Sequence, residues 1–214
     1  MYEPRLELHF EDLPKQRHAA RLGMWIFLAS ELLLFAALFT LYFGYRAHFP
    51  HVFAEGVRHN AQLLGTLNTC ILLLGSVAAA IAVHELRRDR SRLAAGLLGL
   101  TLLAAVAFLA IKGSEYLAHF EEGIFPGGAG AFFAEHPEPG WPIFFTLYFA
   151  MTGLHAIHVI VGAAILGWLA AWTARVRPGR AGAHRVELGA LYWHFVDVVW
   201  VFLWPMFYLL GAHG

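Results

Sequence analysis

Long apolar runs and short charged stretches alternate along the whole chain. Apolar runs cover about residues 22–45, 63–84, 93–113, 142–172 and 188–211. A helix rises about 1.5 Å per residue, so each run is long enough to cross a hydrocarbon core of about 30 Å. None shows the two-residue alternation of a membrane β-barrel. The pattern predicts an all-α polytopic protein, a five-transmembrane-helix bundle forming one membrane domain over residues 22–211, after a polar tail at 1–21. The fourth run exceeds the crossing length and predicts a tilted or protruding helix. Ser76 and Ala80 in the second run have the small-xxx-small spacing that lets helix backbones approach closely in lipid. Residues 46–62 are read as a polar linker. Residues 116–141 are read as the longest loop, because FPGGAG and HPEPGW exclude regular structure.

Composition agrees with that reading. Of 214 residues, 59% are hydrophobic and only 14% charged, against about a quarter in a soluble domain. The single cysteine, Cys70, excludes a disulfide framework or a cysteine metal cluster. Balanced charge gives no reason to expect a nucleic-acid partner. The first apolar run is too long for a signal-peptide core, so no cleavable leader is expected. The tail and the second and fourth linkers carry twelve of the fifteen Lys/Arg residues. The positive-inside rule therefore predicts a cytoplasmic N-terminus and a periplasmic C-terminus.

Polar groups within the apolar runs carry the candidate chemistry. Glu31 and Asp197 each lie about nine residues from the arginine-rich end of their spans, near mid-bilayer. An acid at that depth costs about 2.5–3.5 kcal/mol on insertion scales, so it is expected to face protein or water. His155 and His158 lie near the middle of the fourth span. In the fifth, His194 and Asp197 are three apart and share a face. Trp193 and Trp200 flank Asp197 and are placed to donate indole N–H groups to it. Asn68 joins the histidines and indoles as a buried polar or lipid-contact candidate. Lys112 and Glu115, also three apart, are expected to pair near an interface. Three readings of the histidines stay open: hydrogen-bonded packing groups, ligands of a haem or metal, or groups that bind lipid head groups or water. No Glu-x-x-His repeat of the di-iron kind is present. Glu31, Asp197 and Glu115 are the candidates for a part in proton movement, and for Glu31 a packing role is the alternative.

The segments GMWIFLASELLLFAALF (23–39), LNTCILLLGS (67–76), KGSEYLAHF (112–120), FAMTGLHAIHVIVG (149–162) and YWHFVDVVWVFLWPMFYL (192–209) touch all five spans. In these the sequence resembles subunit III of haem-copper terminal oxidases, the cytochrome c oxidase family, in a short five-helix form. The long form has seven helices, and the two N-terminal ones, which build one arm of a lipid-holding cleft, have no counterpart here. The resemblance implies a bacterial inner-membrane subunit with no catalytic residues, no metal and no cofactor of its own. Haem and copper are then expected in partner subunits I and II. The chain would pack mainly on subunit I, touch subunit II and a small subunit IV, hold phospholipids, and support proton uptake during O₂ reduction to water. It also maps the carbodiimide-reactive glutamate of the family onto Glu31. Relatives in quinol oxidases and nitric oxide reductases often carry Asp at that position, so Glu31 and YWHFVDVVW favour the cytochrome c form. An autonomous haem-binding or transport protein is the competing class.

Overall fold

Every long apolar run becomes a helix in the computed structural model, which describes residues 6–211. Arg5 of the polar tail lies outside the described residues. The helices are α1 (Leu13–His48), α2 (Pro50–His59), α3 (Gln62–Arg87), α4 (Ser91–Glu121), α5 (Ala131–Glu135), α6 (Gly140–Val176) and α7 (Ala183–Trp204). A short 3₁₀ turn (Gly179–Gly182) leads into α7, and a π-helical turn (Pro205–Leu209) follows it. Five of these segments are long and apolar enough to cross a membrane. The chain forms an all-helical, five-span membrane protein.

Three boundaries differ from the sequence expectation. The second part of the polar tail is helical, because α1 starts at Leu13 with Pro14 in its first turn, where a missing N–H costs nothing. The linker after α1 holds a helix, α2, with Pro50 in its first turn, where a missing N–H costs nothing. Its buried residues Val52, Phe53, Gly56 and Val57 repeat at helical spacing. Helix α4 continues to Glu121 and α6 starts at Gly140, so the loop expected over 116–141 is shorter, and the short helix α5 forms between its FPGGAG and HPEPGW motifs.

Two compact units divide the chain. The first comprises the chain up to Leu32, Leu72–Val106 and Val159–Asp197. Here α3 buries Leu72, Gly75, Ser76, Ala79 and Ala82, one face at helical spacing. A methyl group on Gly75 would stand 3.0 Å from Ala104 Cβ, so the close approach to α4 falls there. Ala80, expected at such a contact, is exposed. Thr101 of α4 donates to the Gly75 carbonyl at 3.0 Å.

The second unit comprises Leu33–Ile71, Ala107–His158 and the chain from Val198. Its core is aromatic: Tyr42, Phe53, Phe144, Phe145, Tyr148 and Phe207 are fully buried. Their rings meet edge to face, as between Phe53 and Phe144 at 5.3 Å and Tyr148 and Phe207 at 5.5 Å. Pro205 lacks an N–H, and the π turn after it leaves carbonyls without partners in their own helix. Side chains from α1, α2 and the residue after α2 supply them. Tyr42 donates to the Met206 carbonyl, Asn60 to Phe207 at 2.9 Å, Arg46 to Leu210 at 3.0 Å and Arg58 to Gly211 at 3.0 Å.

Candidate functional site: a closed polar knot and its neighbours

Lys112 lies in the C-terminal third of α4, 3% exposed, with Glu115 about one turn further at 3%. The ammonium has three protons and three acceptors: Glu115 Oε2 at 3.1 Å, Tyr148 Oη at 2.9 Å and Tyr208 Oη at 2.8 Å. Each phenol, having accepted from Lys112, donates to Glu115. Tyr148 reaches Oε1 at 2.8 Å, and Tyr208 lies 2.7 Å from Oε1 and 2.9 Å from Oε2. The four groups form a closed circuit in which every donor has an acceptor. The Tyr148 ring centre lies 4.7 Å from Nζ, Tyr116 5.2 Å, Tyr208 5.5 Å and Trp200 5.6 Å, adding cation–π attraction. Burying a charge pair is stabilising only with such complete satisfaction.

Further bonds extend the knot. Tyr116 and Thr152 hydroxyls meet at 2.5 Å. His119 binds the Glu115 carbonyl through Nδ1 at 2.8 Å and Asn60 Oδ1 through Nε2 at 3.1 Å. His59 then contacts Glu122 at 2.7 Å. The arrangement can fix helix positions and hold charge away from lipid. Lys112 and Glu115 pair as their three-residue spacing predicts, and both are buried within the protein.

The other sequence candidates fall in different surroundings. Asp197 is 6% exposed, and its Oδ1 has no partner among the described residues. The expected indole donors are corrected as well. Trp200 donates to Thr69 Oγ1 at 3.0 Å, while the buried Trp193 Nε1 has no hydrogen-bond partner among the described residues. His194 Nδ1 bonds the Ser76 hydroxyl of α3 at 2.6 Å. Asn68 reaches the Phe108 carbonyl at 3.4 Å. Glu31 is half-buried on α1.

His158 Nδ1 bonds the Leu154 carbonyl one turn back at 2.8 Å, and its ring meets Phe35 edge-on at 5.4 Å. His155 is wholly buried against Phe108 and Trp200, with ring centres at 5.5 and 5.2 Å. Both its ring nitrogens are buried and have no hydrogen-bond partner among the described residues. Among the described residues no group of three or more His, Cys, Asp or Glu is placed to hold a metal ion. Sequence reasoning missed Tyr148, Tyr208, Ser76 and Thr69. Their one signal was a hydroxyl inside an apolar run.

The family model described as Cytochrome c oxidase subunit III matches residues 11–134 and 138–212, including the whole knot. The chain belongs to that family. It is a subunit III of the haem-copper oxidase kind. Among relatives, the family member named cytochrome c oxidase subunit 3 from Synechocystis sp. is 31% identical over 88% of this chain and 74% of its own length. Quinol oxidase subunit 3 of Bacillus spizizenii is 29% identical over 90% of this chain and 88% of its own. A haem-copper oxidase subunit I+III of Aeropyrum pernix is 28% identical over 98% of this chain, which spans 25% of that protein.

Proposed function

We propose that this chain is the non-redox subunit III of a bacterial cytochrome c oxidase, with its N-terminus in the cytoplasm. It packs on subunit I, contacts subunit II and a small subunit IV, holds phospholipid and supports proton uptake while the complex reduces O₂ and pumps protons. The family match over both segments carries the reading. Association with subunit I draws support from the Aeropyrum relative, whose name joins subunits I and III in one protein. The closed Lys112–Glu115–Tyr148–Tyr208 circuit supports a structural role, since its four polar groups are already spent on one another. In this reading haem and copper belong to the partner subunits, and the buried His155 serves packing. Glu31 and Asp197, mid-span acids outside the knot, are the groups assigned to proton-related roles.

The electron donor is assigned as cytochrome c on the Glu31 and YWHFVDVVW segments. A quinol donor is the second reading, favoured by the Bacillus spizizenii relative that this chain covers to 88%. Purifying the native complex through a tag on this chain tests both. The account expects subunits I and II to co-purify, with a dinuclear copper signal in subunit II. A complex without that copper that oxidises quinol would replace the first reading with the second. Recovery of this chain without a haem-bearing partner would defeat both.

A further inference from the structure

Within the second unit, His119 lies in the last turn of α4, 4% exposed, and presents both ring nitrogens to oxygens. Nδ1 is 2.8 Å from the Glu115 carbonyl, and Nε2 is 3.1 Å from Asn60 Oδ1. The Asn60 amide cannot be turned round. Its Nδ2 donates at 2.9 Å to the Phe207 carbonyl, which can only accept. Both neighbours of the imidazole are therefore acceptors. A neutral ring has one N–H and leaves a nitrogen lone pair facing an oxygen, whereas a doubly protonated ring donates to both.

The surroundings divide over that second proton. Burial opposes it, as do the Lys112 ammonium on the same helix and any charge on His59 of α2, whose ring centre is 5.8 Å away. His59 bonds Glu122 at 2.7 Å, which sets a carboxylate beside that charge. The Glu115 carboxylate favours the second proton. The Tyr148 ring of α6, 5.3 Å away and tilted by 31°, lies within reach for cation–π attraction. A hydrogen bond from a charged donor is roughly twice as strong as one from a neutral donor, and here two such bonds are set against burial.

We propose that His119 is a proton-binding latch. With both nitrogens protonated it holds Asn60, and through Asn60 the π turn; loss of one proton releases them. The turn braced in this way carries Tyr208, which donates to Glu115, so the proton on His119 governs how firmly the Lys112–Glu115 circuit is held. A state that binds a proton is favoured as pH falls, so the latch closes in acid and opens as pH rises.

The test is hydrogen–deuterium exchange, read by mass spectrometry, on the complex purified through a tag on this chain. The π turn, Pro205–Leu209, is followed with rates corrected for the intrinsic effect of pH on exchange. A series from about pH 6 to about pH 9 covers the ordinary histidine range and the region above it. Protection of the turn should fall roughly tenfold as pH rises, the effect of losing one hydrogen bond from a charged donor. His119→Gln should show no such step, and His59→Gln should keep it. A wild-type step in the opposite direction, no step, or a step that survives in His119→Gln overturns the proposal. Loss of the step in His59→Gln overturns it too, because the titrating group is then His59. If His119→Gln does not assemble, the direction of the wild-type step and its persistence in His59→Gln decide.

Discussion

The Tyr208 hydroxyl meets both oxygens of the Glu115 carboxylate, at 2.7 and 2.9 Å, across 93 residues of sequence. Tyr208 lies in the π turn after α7, so this bond ties the C-terminal end of the chain to α4 within the second unit. Lys112 closes the circuit by donating to both partners. Replacing Lys112 with Met should destabilise the protein by about 3–5 kcal/mol, since Glu115 then stays buried without its counter-ion. Lys112→Met/Glu115→Leu should recover much of that loss. Thermal unfolding in detergent measures both. A double variant less stable than either single would contradict the circuit.

Gly65 lies beneath the same tyrosine. A methyl group at this position would stand 2.6 Å from Tyr208 Cδ1, closer than packed atoms approach. Gly65→Ala should therefore push the ring off Glu115 and cost about 1–3 kcal/mol. Combining it with Tyr208→Phe should be less than additive, read by unfolding of the single and double variants.

Ser76 of α3 is the hydrogen-bond partner of His194. Ser76→Ala should cost about 1 kcal/mol, because the half-buried His194 loses its bond. Asp197→Leu should weaken assembly by a similar amount. Wild-type stability of the detergent-solubilised complex in both variants would contradict both expectations.

Glu31 is half-buried on α1 within a run that is otherwise free of charge. A lipid-soluble carbodiimide should label it from the bilayer, and Glu31→Gln should reduce labelling to background. Mass spectrometry of the labelled peptide reads the outcome.

The five long helices were legible because length and lack of charge are properties of a single segment. Helix α2 was hidden by its own charges, Glu55, Arg58 and His59, although Val52, Phe53, Gly56 and Val57 carried a helical repeat. The Lys112–Glu115 pair followed from a three-residue spacing. Tyr148, 36 residues away, and Tyr208, 96 away, did not, because a contact between helices depends on how each is rotated about its axis. For the same reason His194 and Asp197 were placed on one face, while the α3 serine that bonds His194 was not visible. The Trp200 indole expected at Asp197 donates instead to Thr69 of α3.

The central claim is that electron-carrying centres reside in companion subunits, and this chain holds position and charge. The direct measurement is a reduced-minus-oxidised optical spectrum of the native complex and of this chain after its separation from the complex. The account predicts haem bands that stay with subunit I and a separated chain without colour. A haem band in the separated chain that vanishes in His155→Ala would contradict it.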